Sequence, residues 1–391
     1  MTSRVKIAVF GGLLLAVSFI LAALIMLAPL RTWAKQQWVS LIADSPTVVV
    51  EPTPIPTPTP DPLAPIAVAL LGYGGGGHDG GLLTDSIIVA KIIPKQQQIV
   101  LISIPRDLWI ELPIATDSAK SFKINAAYAI GNDTKQYINR PMEYQGEHGG
   151  GTMAKHALEQ VVGFPINRYL AVSFASFQTS VDTLGGVDVA VPFSFTDEFY
   201  PVAGKEDEPC EKSPEDIAAL TATMSGYKLE QQFTCRYETI TFAKGTQHMD
   251  GNTALKFVRS RHSSSNGSDF GRSLRQQAFV KAVKQKVFSL SFIPKLIPLI
   301  EKNLKLITTD IDSSLFAQLL TTYQNPADFS IGTISLSDQN VLKPSKSTDG
   351  QYILVPKDEA LGWQSIQTYI AEQEQLLISP VATATPGIIQ P

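Results

Sequence analysis

Apolar residues form one long run at the start of the chain and several shorter runs after residue 65. The long run, residues 7–30 (IAVFGGLLLAVSFILAALIMLAPL), contains no charged side chain and can cross a hydrocarbon core of about 30 Å. A secretory signal peptide has a shorter apolar region, of roughly 7–15 residues, and a small-x-small cleavage site. We therefore predict a transmembrane anchor at residues 7–30, preceded by a short cytoplasmic segment at residues 1–6.

A segment rich in proline and threonine follows the predicted anchor. Residues 46–65 (PTVVVEPTPIPTPTPDPLAP) repeat Pro-Thr, a composition that forms an extended spacer and cannot pack a core. We interpret residues 31–65 as a stalk, which is most useful on the outer face of a membrane. An extracytoplasmic domain favours a disulfide between Cys210 and Cys235, the two cysteines of the chain; two unpaired thiols in a cytosolic loop are the alternative.

The shorter apolar runs predict a mixed α/β fold in which helices flank a central mixed sheet. Three β-branched runs indicate neighbouring strands, at 66–72, 86–93 and 98–104. Later patterns indicate helices at 153–162, 174–184, 250–258 and 272–288, and strands at 187–191 and 239–242. We place the core at 66–290, a polar inserted loop at 195–237, a C-terminal part of the domain at 291–378, and a loose tail at 379–391.

Composition excludes several classes of function. The chain has 391 residues, with 32 Lys+Arg against 36 Asp+Glu and a net charge of −4, so its surface is not generally basic. Bulk electrostatic binding of nucleic acid is therefore not expected, and any phosphate site must be a local cluster of arginines. Two cysteines exclude a multi-cysteine zinc or iron–sulfur site.

A glycine-rich segment matches the pattern G-x-G-x-x-G between Gly72 and Gly77. A dinucleotide-binding fingerprint requires a helix after the glycines, and a strand-like run follows here. The Gly-Lys-Ser/Thr ending of a P-loop is also missing from this segment. Both nucleotide-binding interpretations are rejected, leaving either a surface turn or a loop whose backbone N–H groups approach an anion.

Two charged clusters predict an oligoanion site. Arg106 and Asp107 follow a buried strand, where a lone pair of this kind is usually only a salt bridge. The second cluster places four arginines, a carboxylate and a glutamine close together in sequence: Arg259, Arg261, Asp269, Arg272, Arg275 and Gln276. Arginines so crowded need an anion or carboxylates to neutralise them, and the planar guanidinium group suits phosphate.

Seven ordered motifs resemble those of the LytR-CpsA-Psr (LCP) family, whose members attach glycopolymers to the bacterial cell wall. They cover roughly residues 66–290 and are LLG (70–72), TDSIIV (84–89), SIPRD (103–107), KINAAYAIG (123–131), LGGVDV (184–189), DGNTALKFVRSRH (250–262) and SDFGRSLRQQ (268–277). The resemblance implies an LCP-type domain outside the cell membrane. It also implies a phosphotransferase that moves a glycopolymer from a polyprenyl diphosphate to a peptidoglycan hydroxyl and releases polyprenyl phosphate.

The resemblance also implies roles for individual residues. Asp85 would help to hold Mg²⁺ or Mn²⁺, and Asp269 would orient an arginine or the metal shell. The candidate base for the acceptor hydroxyl is Asp107 or Asp269, with the alternative that either is only a partner of an arginine. The candidate catalytic set is therefore Asp85, Arg106, Asp107 and Asp269. The implied diphosphate ligands are Arg106, Lys123, Arg259, Arg261, Arg272 and Gln276, with Arg275 adjacent to the motif.

One departure from the family pattern concerns the metal. The family usually has an Asp after LLG-x, where this chain has Gly74. His78 or Asp79 in the longer glycine loop is a candidate replacement, unless both are ordinary turn residues; a carboxylate oxygen suits Mg²⁺ better than an imidazole, which favours Asp79. The alternative functions are a non-catalytic binder or a pyrophosphatase of lipid-linked diphosphates, and a transcription attenuator.

Overall fold

A computed structural model describes residues 61, 63–75, 80–224, 227–263, 269–287, 307–311 and 329–378. Within these ranges no helix combines the length and the apolar character needed to span a membrane. The predicted anchor at 7–30, nearly all of the predicted stalk and the predicted tail at 379–391 lie outside the described residues.

The described elements are runs of strands separated by one or two helices. The strands are β1 (Ile66–Tyr73), β2 (Thr84–Ile93), β3 (Gln98–Ser103), β4 (Trp109–Ala115), β5 (Ser118–Lys123), β6 (Arg168–Ser173), β7 (Val187–Val191), β8 (Phe195–Pro201), β9 (Tyr237–Phe242), β10 (Gly245–Met249), β11 (Ile307–Thr309), β12 (Ser330–Ser335), β13 (Leu342–Lys346) and β14 (Tyr352–Pro356). The helices are α1 (Ala126–Asn132), α2 (Gly149–Val162), α3 (Phe174–Thr183), α4 (Pro214–Thr223), α5 (Tyr227–Glu230), α6 (Gly251–Arg259), α7 (Asp269–Val287) and α8 (Trp363–Ile378).

The central sheet is mixed, with the strand order β11-β6-β1-β2-β3-β12. The three predicted apolar runs are neighbours, because β2 pairs antiparallel with both β1 and β3. β6 is parallel to β1, and β12 is parallel to β3. The prediction of a mixed α/β fold with a central sheet is therefore confirmed. The strands β1, β3, β6 and β12 all end at one edge of the sheet, the type of edge where α/β proteins bind ligands.

Both faces of the sheet are covered, which explains why its strands are continuously apolar. Alternate residues of β1 separate into two cores: Leu70 joins one and Leu71 joins the other, each at most 1% exposed. Helices α3, α6 and α7 contribute Phe177, Phe257 and Phe279 to the first core. Helices α1, α2 and α8 contribute to the second. The sheet is thus a rigid support for side chains at its edge.

The polar segment at 195–237 begins with a strand that belongs to the first core. Strand β8 pairs with β9, and Phe195 and Tyr200 of β8 are at most 4% exposed. Farther along, a disulfide joins Cys210 to Cys235. Only the part of this segment beyond β8 therefore resembles an insertion on the surface, since helix α4 buries none of its residues.

Candidate anion-binding site

The antiparallel pair β2–β3 brings two candidate residues to the same edge of the sheet. Ile88 pairs with Ser103, so Asp85, three residues before Ile88, and Arg106, three residues after Ser103, extend beyond the same end of the pair. A hydrogen bond from Ile104 N to Ile87 O continues the pairing toward this edge. The predicted strand-end position of Arg106 thus places it beside Asp85.

Arg106 is held between two carboxylates. Its Nη1 donates to Asp85 Oδ1 at 2.6 Å, and its Nε lies 3.5 Å from Asp107 Oδ2. The side chains of Arg106 and Asp85 are 11% and 3% exposed. Burial opposes the charged guanidinium, but the attraction of Asp85 and Asp107 outweighs it and raises the pKa of Arg106. Arg106 is therefore a permanent buried cation at the edge of the sheet.

Asp107 is shared between Arg106 and a second cation. Lys123, at the end of β5, donates from Nζ to Asp107 Oδ1 at 2.6 Å. Burial raises the pKa of Asp107, whereas Arg106 and Lys123 lower it, and the result is a pKa below the usual value. The backbone fixes this turn as well, because Asn125 N donates to Arg106 O and Leu354 N donates to Asp107 O.

The motif DGNTALKFVRSRH (250–262), which contains helix α6, supplies a third cation, Arg261, whose charge acts on Asp85 and Asp107. Asp250 caps α6 by accepting a hydrogen bond from Thr253 N at 2.7 Å, and the helix ends at Arg259. The charge of Arg261, two residues later, lowers the pKa of both Asp85 and Asp107. For Asp85, burial is the larger effect and raises the pKa overall.

Arg259 takes a different position at the end of α6. Its guanidinium carbon lies 4.5 Å from the centre of the Phe174 ring and 5.4 Å from that of Tyr200. Arginine stacks on aromatic faces in this way, keeping its planar group ordered. Arg259 is partly exposed, so stacking still leaves part of its side chain accessible.

The three candidate residues of α7 differ in environment. Arg272 is partly exposed, whereas Arg275 is 0% and Gln276 is 4% exposed. Arg275 packs on Phe195, with its guanidinium carbon 4.6 Å from the ring centre, and donates from Nη2 to Ser260 O at 2.5 Å. Burial lowers the pKa of Arg275 to about 10, and the nearby Asp197 opposes this. Arg275 is thus a structural cation in this arrangement, with no exposed surface for a ligand.

Gln276 carries a buried amide on α7. Its Nε2 is inaccessible to solvent and has no hydrogen-bond partner among the described residues. The next residue, Gln277, donates from Nε2 to Thr333 Oγ1 at 2.7 Å. Buried donors are normally satisfied, so the lack of a partner for this amide among the described residues leaves the role of Gln276 as a diphosphate ligand a prediction.

Several predicted residues lie outside what the structure describes. The loop residues 76–79 include both His78 and Asp79, and the side chain of Asp269 is also outside the described part. The described stems of the glycine loop are ordered: Gly75 N donates to Gly81 O at 2.9 Å, and Gly75 has a φ of 73°, which glycine adopts without strain. Strand β2, and no helix, follows this loop.

The carboxylates at this edge of the sheet are too few to hold a divalent metal ion without oxygens from a bound substrate. In the described part of the chain, no three His, Cys, Asp or Glu side chains group closely enough to hold a metal ion. Asp85 supplies carboxylate oxygens, and Mg²⁺ commonly takes one or two carboxylates together with substrate phosphates and water. Asp85 would therefore hold Mg²⁺ only together with oxygens of substrate and water.

Two residues of the site have no role in the sequence analysis. Asn125 contacts the first two residues of β2. Its carbonyl accepts a hydrogen bond from Thr84 N at 3.0 Å, and a hydrogen bond from its side chain lowers the pKa of Asp85. The motif KINAAYAIG contains Asn125 and was the signal available for it. Asp197 of β8 accepts hydrogen bonds from the segment that carries Arg261. A single Asp in a polar stretch gave no signal for that contact.

The arrangement can bind a compact, multiply charged anion. Arg106 and Lys123 bond to the carboxylates of Asp85 and Asp107, and the charge of Arg261 acts on both. These three cations exceed the two carboxylates by one before Arg259 and Arg272 are counted. These side chains come from the end of β3, the end of β5 and the loop after α6. Guanidinium and ammonium groups in fixed positions are suited to phosphate oxygens.

Two curated relatives are similar to this chain. TagV of Bacillus subtilis, named polyisoprenyl-teichoic acid–peptidoglycan teichoic acid transferase, is 28% identical over 258 residues, covering 66% of this chain and 52% of TagV. TagU of Bacillus mycoides carries the same activity in its name and is 29% identical over 264 residues, covering 67% of this chain and 65% of TagU. The chain thus spans between about half and two thirds of the length of these relatives.

The fold and the family agree with these similarities. The crystal structure of B. subtilis TagV matches the present structure with a TM-score of 0.51 and 25% sequence identity, covering 81% of this chain and 99% of that chain. The model of the LytR_cpsA_psr family matches residues 44–367, which includes every residue of the site. The chain therefore belongs to the LytR_cpsA_psr family.

Proposed function

We propose that this protein is a membrane-anchored phosphotransferase that moves a glycopolymer from a polyprenyl diphosphate to a hydroxyl of peptidoglycan. The observation that carries the proposal is the site in which Arg106, Lys123 and Arg261 converge on Asp85 and Asp107 at the edge of the sheet. The activity in the names of TagU and TagV, transfer of teichoic acid from a polyisoprenyl carrier to peptidoglycan, supports it.

The reaction breaks the phosphoanhydride bond of the diphosphate and forms a phosphodiester bond to the acceptor. The acceptor hydroxyl oxygen attacks the phosphorus next to the glycan, the bond between the two phosphates breaks, and polyprenyl phosphate leaves with the electron pair. The hydroxyl proton passes to a base. Negative charge spreads over the phosphate oxygens in the transition state, and fixed cations catalyse such transfers by stabilising that charge.

Some of the described residues would contact the phosphates, and others hold those residues in position. Arg106, Lys123 and Arg261 would contact phosphate oxygens. Gln276, whose Nε2 has no hydrogen-bond partner in the described part of the chain, would be a further donor. Asp107, whose pKa is lowered by Arg106 and Lys123, is a weak base. Its contacts suit it better to aligning these two cations than to accepting the proton, which leaves Asp269 as the stronger candidate base.

Mg²⁺ or Mn²⁺ belongs to the proposal as a cofactor. Asp85 would hold the ion, with Asp79 of the glycine loop as the proposed second carboxylate. A divalent ion bound there would neutralise phosphate charge and polarise the phosphorus that is attacked. The chain's own contribution is that Arg106 and Arg261 partly oppose the rise in the pKa of Asp85 that its burial causes.

The cellular location is proposed from the sequence. The uncharged residues 7–30 and the Pro/Thr-rich stalk would tether the domain outside the cytoplasm, where its peptidoglycan acceptor is found. Protease added to intact spheroplasts should digest the domain that starts at residue 66. Full protection of the domain would contradict this topology.

A transfer assay tests the activity. The full chain, reconstituted in vesicles, receives a synthetic polyprenyl diphosphate-linked glycan, peptidoglycan fragments and Mg²⁺. The expected products are glycan-linked peptidoglycan and polyprenyl phosphate in equal amounts. Release of polyprenyl phosphate without transfer would indicate a pyrophosphatase, and binding without turnover would indicate a non-catalytic binder. The Lys95→Ala variant, which changes an exposed lysine, is the matched control for Arg106→Ala.

A further inference from the structure

Asp197 is a buried carboxylate that contacts three consecutive residues of the arginine motif. It lies in β8 and is 1% exposed. Its Oδ2 accepts hydrogen bonds from Ser260 Oγ at 2.7 Å, Arg261 N at 2.9 Å and His262 N at 3.0 Å. Its Oδ1 accepts a fourth hydrogen bond, from Phe199 N at 2.9 Å. Such a set of donors explains how a carboxylate remains in the core.

Arg275 binds the same short segment from the other side. It is 0% exposed, packs on the Phe195 ring and donates from Nη2 to Ser260 O at 2.5 Å. The carbonyl of Ser260 and the N–H of Arg261 belong to one planar peptide group. Arg275 therefore holds the oxygen of this peptide while Asp197 holds its nitrogen, and the two opposite charges fix its orientation.

The orientation of this peptide determines where the Arg261 side chain can reach. Helix α6 ends at Arg259, so no intrahelical hydrogen bond from Arg261 N defines the backbone there. Fixing the peptide plane fixes the point from which the Arg261 side chain starts, and the charge of that side chain lowers the pKa of Asp85 and Asp107. A fixed guanidinium loses less conformational entropy when it binds a ligand.

We propose that Asp197 and Arg275 are positioning residues that fix the Ser260–Arg261 peptide and thereby hold Arg261 in place to bind phosphate. The proposal rests on the proposed diphosphate-binding function for its consequence, although the clamp itself is independent of any ligand. It gives Arg275 a role other than that of a diphosphate ligand. It also gives the start of the polar 195–237 segment a role in the site.

The first measurement tests the clamp without a ligand. Backbone amide hydrogen exchange is followed in peptides that cover residues 260–263 of the full chain in detergent. Asp197→Asn should accelerate exchange at Arg261 and His262 by at least about tenfold, because their acceptor is weakened. The control is Asp188→Asn, which makes the same chemical change at a carboxylate that is 65% exposed, and it should leave these rates unchanged. Unchanged exchange in Asp197→Asn would overturn the proposal.

The second measurement tests the consequence for binding. Affinity for a short-chain polyprenyl diphosphate should fall by about tenfold in Asp197→Asn, measured well below its unfolding temperature. The same substitution made in the Arg261→Ala background should cause no further loss, because the clamp acts through Arg261. Equal losses in both backgrounds would show a general structural effect and overturn the positioning role.

A replacement variant keeps the test possible, and two further outcomes separate this proposal from the proposed function. If Asp197→Asn does not fold, Arg275→Lys replaces it, since a lysine keeps the charge but loses the planar group that spans Phe195 and Ser260 O. If the wild type binds no polyprenyl diphosphate while the exchange rates respond as expected, the proposed function fails and the clamp stands. If Arg261→Ala binds as tightly as wild type, the role of Arg261 as a phosphate ligand is wrong, and with it the positioning proposal.

Discussion

Arg106 and Asp107 are neighbours in sequence with opposite charges, and each is paired with a partner from another segment. Arg106 bonds to Asp85 and Asp107 bonds to Lys123, both at 2.6 Å. The crossed arrangement holds cations and carboxylates in alternation before any ligand is bound. A phosphate group approaching this site meets cations whose positions are already fixed, which is the condition for strong electrostatic stabilisation.

Removal of Arg106 should affect both stability and binding. Arg106→Ala leaves Asp85 as a buried carboxylate without its closest cation, and breaking such a pair typically costs about 3–5 kcal/mol in the free energy of unfolding. Affinity for polyprenyl diphosphate should fall by at least about tenfold. Chemical denaturation and a binding titration measure the two effects. Lys95→Ala, at an exposed ion pair, should behave as wild type; a similar response of both variants would contradict the assignment.

Lys123 should make the stability of the protein depend on pH through Asp107. The folded pKa of Asp107 is below its usual value, so its contribution is complete above about pH 4 and is lost as the pH falls through the folded pKa. Lys123→Met should raise the pKa of Asp107 and lower the free energy of unfolding at neutral pH, and the difference from wild type should shrink in acid. Carboxyl NMR titration and denaturation at several pH values measure this. Lys120→Met, an exposed change in the same strand, should show no such convergence.

Gln276 and Gln277 should respond in opposite ways to the same substitution. Gln276→Leu removes a buried amide whose Nε2 has no partner among the described residues, so stability should be retained or increased while diphosphate binding weakens severalfold. Gln277→Leu removes a satisfied hydrogen bond to Thr333, so stability should fall by about 1 kcal/mol while binding is kept. Thermal unfolding and binding titrations on both variants decide the case. Normal binding by Gln276→Leu would remove it from the site.

The proposed metal site predicts a shared requirement for two carboxylates. Asp79→Ala and Asp85→Ala should both lower transfer activity and raise the magnesium concentration needed for half-maximal rate, because each removes a hard oxygen ligand. The activity is measured against Mg²⁺ concentration, with Asp188→Ala as the control for an exposed carboxylate. An effect of Asp85→Ala alone would mean that one protein carboxylate and substrate oxygens hold the ion. No effect of either would favour the non-catalytic binder.

The central sheet could be predicted from sequence because both of its faces are buried. Strands β1, β2 and β3 are almost uninterrupted runs of apolar residues, and such runs have few other interpretations. The hairpin β4–β5 gave no comparable signal, since β5 has the sequence SAKSFK and half of its residues are exposed. That hairpin nevertheless brings Lys123 to Asp107. The sequence therefore predicted Lys123 as a site residue, but it did not predict the β4–β5 hairpin on which Lys123 lies.

The arginine cluster shows where helical periodicity fails as a guide to function. Spacing predicts that Arg272, Arg275 and Gln276 share a face of α7, and all three were expected to meet the ligand. The structure buries Arg275 completely against Phe195, a contact that depends on tertiary packing with β8. Asp197, which balances that charge, lies in a stretch whose polarity suggests a surface loop. Sequence patterns do not reveal buried polar partners that come from distant segments.

The disulfide between Cys210 and Cys235 closes a loop in which the cysteines are 25 residues apart. Helix α4, which buries none of its residues, lies inside this loop. A protease that cuts there would break the chain without releasing either fragment, because the disulfide still links the two sides of the cut. The nicked protein would therefore migrate as one species without reductant and as two fragments with it. The covalent ring thus protects the pairing of β8 with β9, and with it Asp197, from cleavage at the exposed helix.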